Sequence, residues 1–158
     1  MVQFDQRTYV PERRIVYTSE IMRDEFAWLY DKCKSIVEEL NRKFDFSITA
    51  LDDITFMKYQ EPADSLGGGH FHWHSDCGKG QSALRKISIS IALNDGCEYE
   101  GGDFCVFDCG PLTLPRMKCG DVIAIPSYVN HRVTPVTKGT RYVLVLFVLG
   151  PKIGRAHV

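Results

Sequence analysis

The feature that most constrains the fold is one amphipathic segment followed by a long series of short, β-prone segments. From Thr18 to about Leu40, apolar residues recur every three or four positions, which predicts a helix with one apolar face. Thr18 or Ser19 can cap the start of this helix. After Asn41 the chain consists of short stretches rich in Ile, Val, Phe, Tyr and Thr, and these are separated by Gly, Pro and Asp clusters. This pattern is typical of an all-β sandwich or barrel.

The strand pattern narrows the architecture further. The predicted strands cover residues 46–50, 53–60, 70–76, 86–93, 103–108, 121–125, 129–135 and 140–149. Alternation is clearest between Lys86 and Asn94, where isoleucine occupies every second position from Ile87 to Ile91 and small residues lie between. About eight strands preceded by a helix predict a mainly β protein. Its expected form is a double-stranded β-helix, or jelly roll, with an N-terminal α-helix that supports one outer face.

Length and composition predict one domain. The chain has 158 residues, of which 44% are hydrophobic, and this is enough to form one core. No repeat or linker-like segment separates two units, so we predict a single domain over residues 1–152. Residues 153–158 read like the translated start of a sequencing-library adapter, and we expect them to be a non-native tail.

Charge and hydropathy give no support for a nucleic-acid or membrane partner. The formal net charge is −1 at pH 7, so no basic balance predicts a nucleic-acid partner. The longest apolar run, Tyr142 to Leu149, is far shorter than the ~20 residues of a membrane-spanning helix. The first ten residues include Asp5 and Arg7 and lack the apolar stretch of a secretory signal. We therefore expect a cytoplasmic location and no membrane partner.

The cysteine content allows two interpretations. Six cysteines would suggest disulfides in an exported protein. Because no export signal is expected, we predict reduced thiols instead. Cys105 and Cys109 form one CxxxC pair without a second such pair, so we expect no structural zinc site.

The first group of residues that suggests chemistry is His74-Ser75-Asp76. Residues two apart on a strand project from the same face, so His74 and Asp76 can approach one metal ion. His131 lies in a later predicted strand that a jelly roll can bring beside the first. Two histidines and one carboxylate on one face of the metal form the ligand set of non-haem iron(II) oxygenases.

An arginine in an unusual position extends this group. Arg141 stands at the start of the apolar segment Tyr142 to Leu149, where a guanidinium needs an anionic partner once it is removed from water. A planar guanidinium inside a barrel can bind a carboxylate through two hydrogen bonds. The alternative is an arginine at a strand end whose charged group reaches solvent.

With these residues, the sequence resembles the 2-oxoglutarate- and iron(II)-dependent oxygenases, specifically their prolyl 4-hydroxylase-like branch. The resemblance runs from about Ile54 to Pro151 and rests on motifs in the family's order. Besides the His and Arg positions, the matching segments are Met57-Lys-Tyr-Gln-Glu-Pro62, Leu93-Asn-Asp95, Tyr99-Glu-Gly-Gly-Asp-Phe104 and Gly120-Asp-Val-Ile-Ala-Ile-Pro126.

The resemblance implies both the cofactors and the reaction. Fe(II) would be held by His74, Asp76 and His131, and the distal carboxylate of the cosubstrate 2-oxoglutarate by Arg141 and Tyr59. The implied enzyme is a dioxygenase that uses O2 to hydroxylate a C–H bond and releases succinate and CO2. Its candidate substrates are a peptide, a protein or a small molecule, with a peptidyl-prolyl or other amino-acid side chain as the target. Ascorbate is a candidate reductant.

Three alternatives stay open at this stage. His72 should share a strand face with His74, so we expect the His72 side chain to lie on the substrate side of the metal. In the competing ligand set, His72 and His74 both bind the metal and Asp76 only caps the following loop. An AlkB-like nucleic-acid demethylase would use the same metal chemistry, but the segment after His131 lacks that branch's second, later arginine. A non-catalytic jelly-roll binding module would have lost ligands, whereas here every expected ligand position is filled.

Overall fold

The computed structural model describes residues 6–10, 12–63, 65 and 67–152, and it is built mainly from strands. The expected tail at 153–158 lies outside the described residues. The elements in chain order are β1 Gln6–Val10, β2 Arg14–Ile21, α1 Ala27–Phe44, β3 Ala50–Leu51, β4 Ile54–Gln60, β5 His70–His74, a 3-10 helix Gly80–Leu84, β6 Arg85–Ala92, β7 Tyr99–Gly101, β8 Phe104–Phe107, β9 Pro111–Thr113, β10 Val122–Pro126, β11 His131–Val133 and β12 Val136–Leu149. The prediction of a mainly β protein with an α-helix near its N-terminus is confirmed.

The predicted start of the helix is wrong. The segment that contains Thr18 and Ser19 forms β2, and α1 begins only at Ala27, with Phe26 at its N-cap and no side-chain hydrogen bond there. β2 pairs with β1 along one edge, and along the other edge with β5 at Arg14 and Ile15 and then with β4 from Tyr17 to Ile21, so both of its edges are hydrogen-bonded within the sheet. The helical spacing therefore holds only for the part of the segment beyond Phe26, where Tyr30, Cys33 and Val37 are buried.

The predicted strands differ from the structure at several points. β1 was not predicted, and the strand expected at 70–76 ends at His74, so Asp76 lies in the following loop and not on the strand. The strand expected at 46–50 is reduced to the two residues of β3. The short strands β7 and β9 lie outside the predicted strands, because three residues carry too little alternation to indicate a strand. The strand expected at 140–149 begins earlier, at Val136, and forms the longest strand, β12.

The strands form one sheet that curls back over itself. Its order is β10-β6-β12-β4-β2-β5-β11-β8-β9, with β1 paired to β2 and both β3 and β7 paired to β12. Phe104 and Val133, from β8 and β11, pack in one apolar cluster with Val143 of β12. Strands that are distant in the sheet order therefore face each other, as a jelly roll requires.

Alternation along β6 divides the molecule into an outer core and an inner cavity. Ile87 and Ile89 are completely buried and pack with Leu146 of β12 and Cys33 of α1. Ser88 points to the opposite side, into the interior of the roll, where it lines a cavity. The predicted alternation in this segment is confirmed, and α1 covers the outer apolar face of the sheet.

In the described part of the chain, no helix is both long enough and apolar enough to span a membrane.

Candidate metal centre

Three side chains from two neighbouring strands and one loop meet inside the roll. His74 is the last residue of β5, His131 is the first residue of β11, and the two are register partners. Asp76 lies in the loop just after β5. One carboxylate oxygen of Asp76 is 3.5 Å from His74 Nε2, and the other is 3.4 Å from His131 Nε2. One ligand atom from each residue can be chosen so that all three lie within 4.8 Å of one another.

The loop that carries Asp76 is held by the turn before β11. The backbone N–H groups of Asp76 and Cys77 both donate to the carbonyl oxygen of Ser127, each at 2.9 Å. Ser127 is completely buried, and its hydroxyl accepts a hydrogen bond from the Ser88 hydroxyl at 2.9 Å. The carboxylate is therefore fixed to the same turn that leads to His131.

Both imidazoles are oriented by a backbone carbonyl. His74 Nδ1 lies 2.7 Å from the carbonyl oxygen of His72, and His131 Nδ1 lies 3.0 Å from that of Val129. Because a carbonyl oxygen can only accept, each Nδ1 must carry the proton. The lone pair of each neutral ring is then on Nε2, the atom that points to Asp76, and this is the arrangement that metal-binding histidines need.

The charges of these groups also suit a cation. Burial alone would raise the pKa of Asp76, but the neighbouring His74 and His131 rings outweigh it and hold this pKa below its ordinary value. Burial lowers the pKa of His131, and the nearby Asp76 carboxylate opposes this shift without reversing it. The site therefore favours an ionised carboxylate and a neutral imidazole, the forms in which both residues bind metals.

The donor set fits Fe(II). Two imidazole nitrogens and one carboxylate, with a cavity on their open side, match the two-histidine, one-carboxylate arrangement of non-haem iron(II) sites. The cavity has a volume of about 620 Å³, which leaves room for further ligands beside the three side chains.

Arg141 and Tyr59 line the same cavity. They are register partners on β12 and β4, with exposed fractions of 3% and 2%. The guanidinium forms no ion pair or side-chain hydrogen bond with any described residue, and its carbon lies 5.3 Å from the centre of the Tyr59 ring. Gly102, at φ +63°, packs closely against this arginine, since an added Cβ would lie 3.0 Å from Val136 and 3.3 Å from Arg141 Cδ and would crowd both side chains.

A buried, unpaired guanidinium at the wall of a cavity is a site for an anion. Leaving such a charge without a partner is costly, so this position fits a carboxylate-bearing ligand such as 2-oxoglutarate. Burial raises the pKa of the Tyr59 phenol, and the positive charges of Arg141 and Arg14 only partly oppose it. The phenol therefore stays protonated. Among the described residues its one side-chain hydrogen-bond acceptor is a weak one, the Met57 sulfur at 3.5 Å, so its O–H group is available to an oxygen atom in the cavity.

The structure does not bring His72 into this cavity. Phe71 and His74 on β5 pair with Val133 and His131 on β11, so three steps on β5 oppose two on β11. This β-bulge breaks the alternation. Phe71 and His74 both line the cavity and stack on each other, with ring centres 3.6 Å apart, whereas His72 is exposed. The expected shared face of His72 and His74 is therefore wrong.

Several residues of the site were not found from the sequence. Arg14 lies on β2, in the region that precedes the recognised motifs, and it lines the cavity. Ser127 was seen only as a turn residue. Ser88 could have been found, because it is a polar residue on the inward side of an alternating strand.

The residues 54–149 match the family model of the 2OG-Fe(II) oxygenase superfamily. Among curated proteins, a PKHD-type hydroxylase of Idiomarina loihiensis is 30% identical over 95 residues, which is 60% of this chain and 41% of that protein. A PKHD-type hydroxylase of Hyphomonas neptunium is 36% identical over 81 residues, which is 48% of this chain and 36% of that protein. The chain thus spans about two fifths of the length of these curated relatives.

Solved structures share the fold. An oxidoreductase of the 2OG-Fe(II) oxygenase family from Burkholderia pseudomallei matches with a TM-score of 0.72 and 16% identity, covering 93% of this chain and 73% of that one. A Pseudomonas putida prolyl-4-hydroxylase matches with a TM-score of 0.65 and 18% identity, covering 89% of this chain and 75% of that one. The jelly-roll prediction is confirmed. Since the family model covers more than half of the chain, this protein belongs to the 2OG-Fe(II) oxygenase superfamily.

Proposed function

We propose that this chain is the catalytic core of a 2-oxoglutarate- and Fe(II)-dependent dioxygenase that hydroxylates a C–H bond. One observation carries the proposal: a single cavity contains both the cluster of His74, Asp76 and His131 and the unpaired guanidinium of Arg141. The cluster suits a divalent cation and the guanidinium suits a carboxylate. A ligand that needs both is a 2-oxo acid with a second carboxylate.

The three clustered residues would hold Fe(II), and Arg141 with Tyr59 would hold the distal carboxylate of 2-oxoglutarate. When bound, Fe(II) and 2-oxoglutarate would supply the chemistry: O2 converts 2-oxoglutarate to succinate and CO2, and one oxygen atom is inserted into a C–H bond of the substrate. The protein's part is positioning: the carbonyl oxygens of His72 and Val129 fix the imidazoles, and Ser127 fixes the Asp76 loop. The buried wall around Arg141 excludes water, which strengthens the attraction between the guanidinium and a carboxylate.

The proposed target is an amino-acid side chain, with a peptidyl-prolyl group as one candidate. Two fold neighbours support this class. One is the Pseudomonas putida prolyl-4-hydroxylase, and the other is a Trichoplax adhaerens prolyl hydroxylase described in complex with a peptide fragment of hypoxia inducible factor. The latter matches with a TM-score of 0.68 and 17% identity. The formal net charge of −1 supports a peptide or small molecule rather than a nucleic acid.

Succinate release is the direct test. The purified chain is loaded with Fe(II) and 2-oxoglutarate without oxygen, air is admitted, and succinate is measured with peptides, free amino acids and methylated oligonucleotides. We expect oxygen-dependent succinate that is lost in His131→Ala and kept in Arg23→Ala, a variant of an exposed arginine outside the cavity. Iron binding without any succinate would contradict the proposal and favour a non-catalytic module. Turnover that is stimulated only by methylated oligonucleotides would favour a nucleic-acid demethylase.

Two finer points belong to the same proposal. Ascorbate is proposed as the reductant that restores Fe(II) after unproductive turnover, and repeated turnover with and without it measures its role. A cytoplasmic location stays a prediction, which fractionation of the source cells would test.

A further inference from the structure

The cavity contains a second cation that the proposed chemistry does not use. Arg14 lies on β2 opposite Phe71 of β5, and its guanidinium carbon is 5.2 Å from the centre of the Phe71 ring. The Phe71 ring stacks on the imidazole of His74. A single aromatic ring therefore separates the guanidinium from a candidate metal ligand.

Arg14 has no acidic partner among the described residues. The charged side chains that line the cavity are Arg13, Arg14, Glu20, Asp76, Arg85 and Arg141. Arg85 is 3.7 Å from Asp52 and lies over the Phe147 ring, so its charge is already compensated. Glu20 is six residues from Arg14 on the same strand, about 20 Å away at ~3.3 Å per residue, which is too far for an ion pair.

The charge of Arg14 would also stay uncompensated once the site is loaded. Asp76 and the two carboxylates of 2-oxoglutarate carry three negative charges, and Fe(II) with Arg141 carries three positive ones. These charges cancel. A half-buried guanidinium facing the same cavity then still lacks an anion, so its hydrogen-bond donors are available to a further ligand.

We infer that Arg14 binds a carboxylate of the substrate and thereby selects amino-acid derivatives that carry a free carboxylate. The inference rests on the proposed function. A guanidinium can hold the carboxylate through two hydrogen bonds, and the Phe71 ring beneath it limits the directions from which the carboxylate can approach. The side chain of the substrate amino acid that carries this carboxylate would then extend along the Phe71 ring toward the metal centre. The carboxylate can belong to a free N-acylated amino acid or to the C-terminus of a peptide.

Binding to an inert, loaded protein tests this inference. The full chain is loaded with Zn(II) and N-oxalylglycine, an unreactive analogue of 2-oxoglutarate, and the loading itself is measured first. Matched probes are then titrated by ligand-observed NMR: the N-acetyl amino acids and a set of tripeptides, each as the free acid and as the carboxamide. We expect at least one free acid to bind roughly 10-fold or more tightly than its carboxamide, which is the preference that one charged hydrogen-bonded pair supplies. The probe type, amino acid or tripeptide, identifies the source of the carboxylate.

Variants assign the preference to Arg14. In Arg14→Gln the affinity for the acid should fall to that for the amide, and Arg14→Lys should keep part of the preference. Arg23→Gln is the matched control, because Arg23 also lies over an aromatic ring, that of Tyr30, but outside the cavity. A thermal melt of each variant separates loss of folding from loss of binding.

Three results would overturn the inference: equal binding of acids and amides by the wild type, no binding of either, or an acid preference that survives in Arg14→Gln. Failure to load N-oxalylglycine counts against the proposed function, and the Arg14 inference then falls with it. Successful loading without a carboxylate preference overturns the Arg14 inference alone.

Discussion

The Arg141 guanidinium and the Tyr59 ring face each other across adjacent antiparallel strands, with 5.3 Å between the guanidinium carbon and the ring centre. Because register partners project to the same side of a sheet, both side chains enter the cavity together. The phenol ring limits the space around the guanidinium, and the guanidinium has no competing acid among the described residues. This arrangement supports the proposal that the pair binds the distal carboxylate of 2-oxoglutarate.

Replacing the guanidinium should weaken cosubstrate binding strongly. Arg141→Ala removes the buried charge that would face the distal carboxylate, and we expect the binding free energy of 2-oxoglutarate to weaken by about 2 to 5 kcal/mol. The apparent KM for 2-oxoglutarate should rise steeply while the bound iron per chain stays near the wild-type value. Arg23→Ala controls for the loss of an arginine as such. An unchanged KM for 2-oxoglutarate would remove Arg141 from the site.

The Tyr59 hydroxyl should contribute less than the guanidinium. Tyr59→Phe keeps the buried ring and removes one neutral donor, whose net value is about 1 kcal/mol. We expect the KM for 2-oxoglutarate to rise roughly 5-fold. Since burial raises the pKa of this phenol, the ratio of the KM for 2-oxoglutarate in Tyr59→Phe to that in the wild type should stay constant between pH 6 and 9. A ratio that changes within this pH range would mean that the phenol ionises there and does not act as a neutral donor.

The chemistry-bearing residues could be predicted because their signals are local. His74 and Asp76 are two positions apart in the chain, and Arg141 is conspicuous because a charge begins the most apolar strand. His131 is distant in the chain, and it was predictable because a jelly roll can bring its segment beside the first strand and because the family's order of motifs has a histidine there. The alternation in β6 was equally local, and it correctly separated the outer isoleucines from the inner serines.

The features that could not be predicted from the sequence depend on pairing between distant segments. The bulge in β5 is defined by its register with β11, and nothing in residues 70–76 themselves reports that register. The placement of Thr18 in a strand depends on pairing of β2 with β1 and β4. Arg14 was missed for the same reason, since only a strand assignment places it opposite Phe71.

The packing of α1 on the sheet gives a stability prediction. The Tyr30 hydroxyl donates to the Ile21 carbonyl oxygen at 2.7 Å and accepts from the Ile54 N–H at 3.0 Å. Tyr30→Phe leaves the buried Ile54 N–H without this partner, so the free energy of unfolding should fall by about 2 kcal/mol. Urea denaturation measures the change, and the exposed Tyr128 provides the control Tyr128→Phe. Equal stability of both variants would mean that the bridging hydroxyl contributes nothing.

All six cysteines are free thiols in the structure, and their reactivities should differ. Cys97, Cys109 and Cys119 are exposed and should react with a thiol reagent first. Cys33 is buried and burial raises the pKa of its thiol, so less thiolate is present at a given pH and its reaction should be slowest. Titration of the unreduced, unfolded protein should count close to six thiols. A count near zero would mean disulfides.

The bulge in β5 yields the sharpest prediction, because it gives the side chain and the backbone carbonyl of His72 different roles. The side chain is exposed, but the carbonyl oxygen of His72 accepts the Nδ1–H of His74 and fixes that ring. His72→Ala keeps this carbonyl, so the variant should retain bound iron and succinate formation. His74→Ala and Asp76→Ala each remove one of three ligands, and both should lose iron and turnover.

Iron content per chain and succinate yield, measured on the three variants under identical loading, distinguish the two ligand sets. With His74, Asp76 and His131 as ligands, only His72→Ala stays active, because its alanine leaves all three ligand atoms in place. With His72 and His74 on iron, the pattern would reverse for His72 and Asp76, since Asp76 would then only cap the loop. An iron-free His72→Ala together with an active Asp76→Ala would therefore require that β5 pairs with β11 without the bulge.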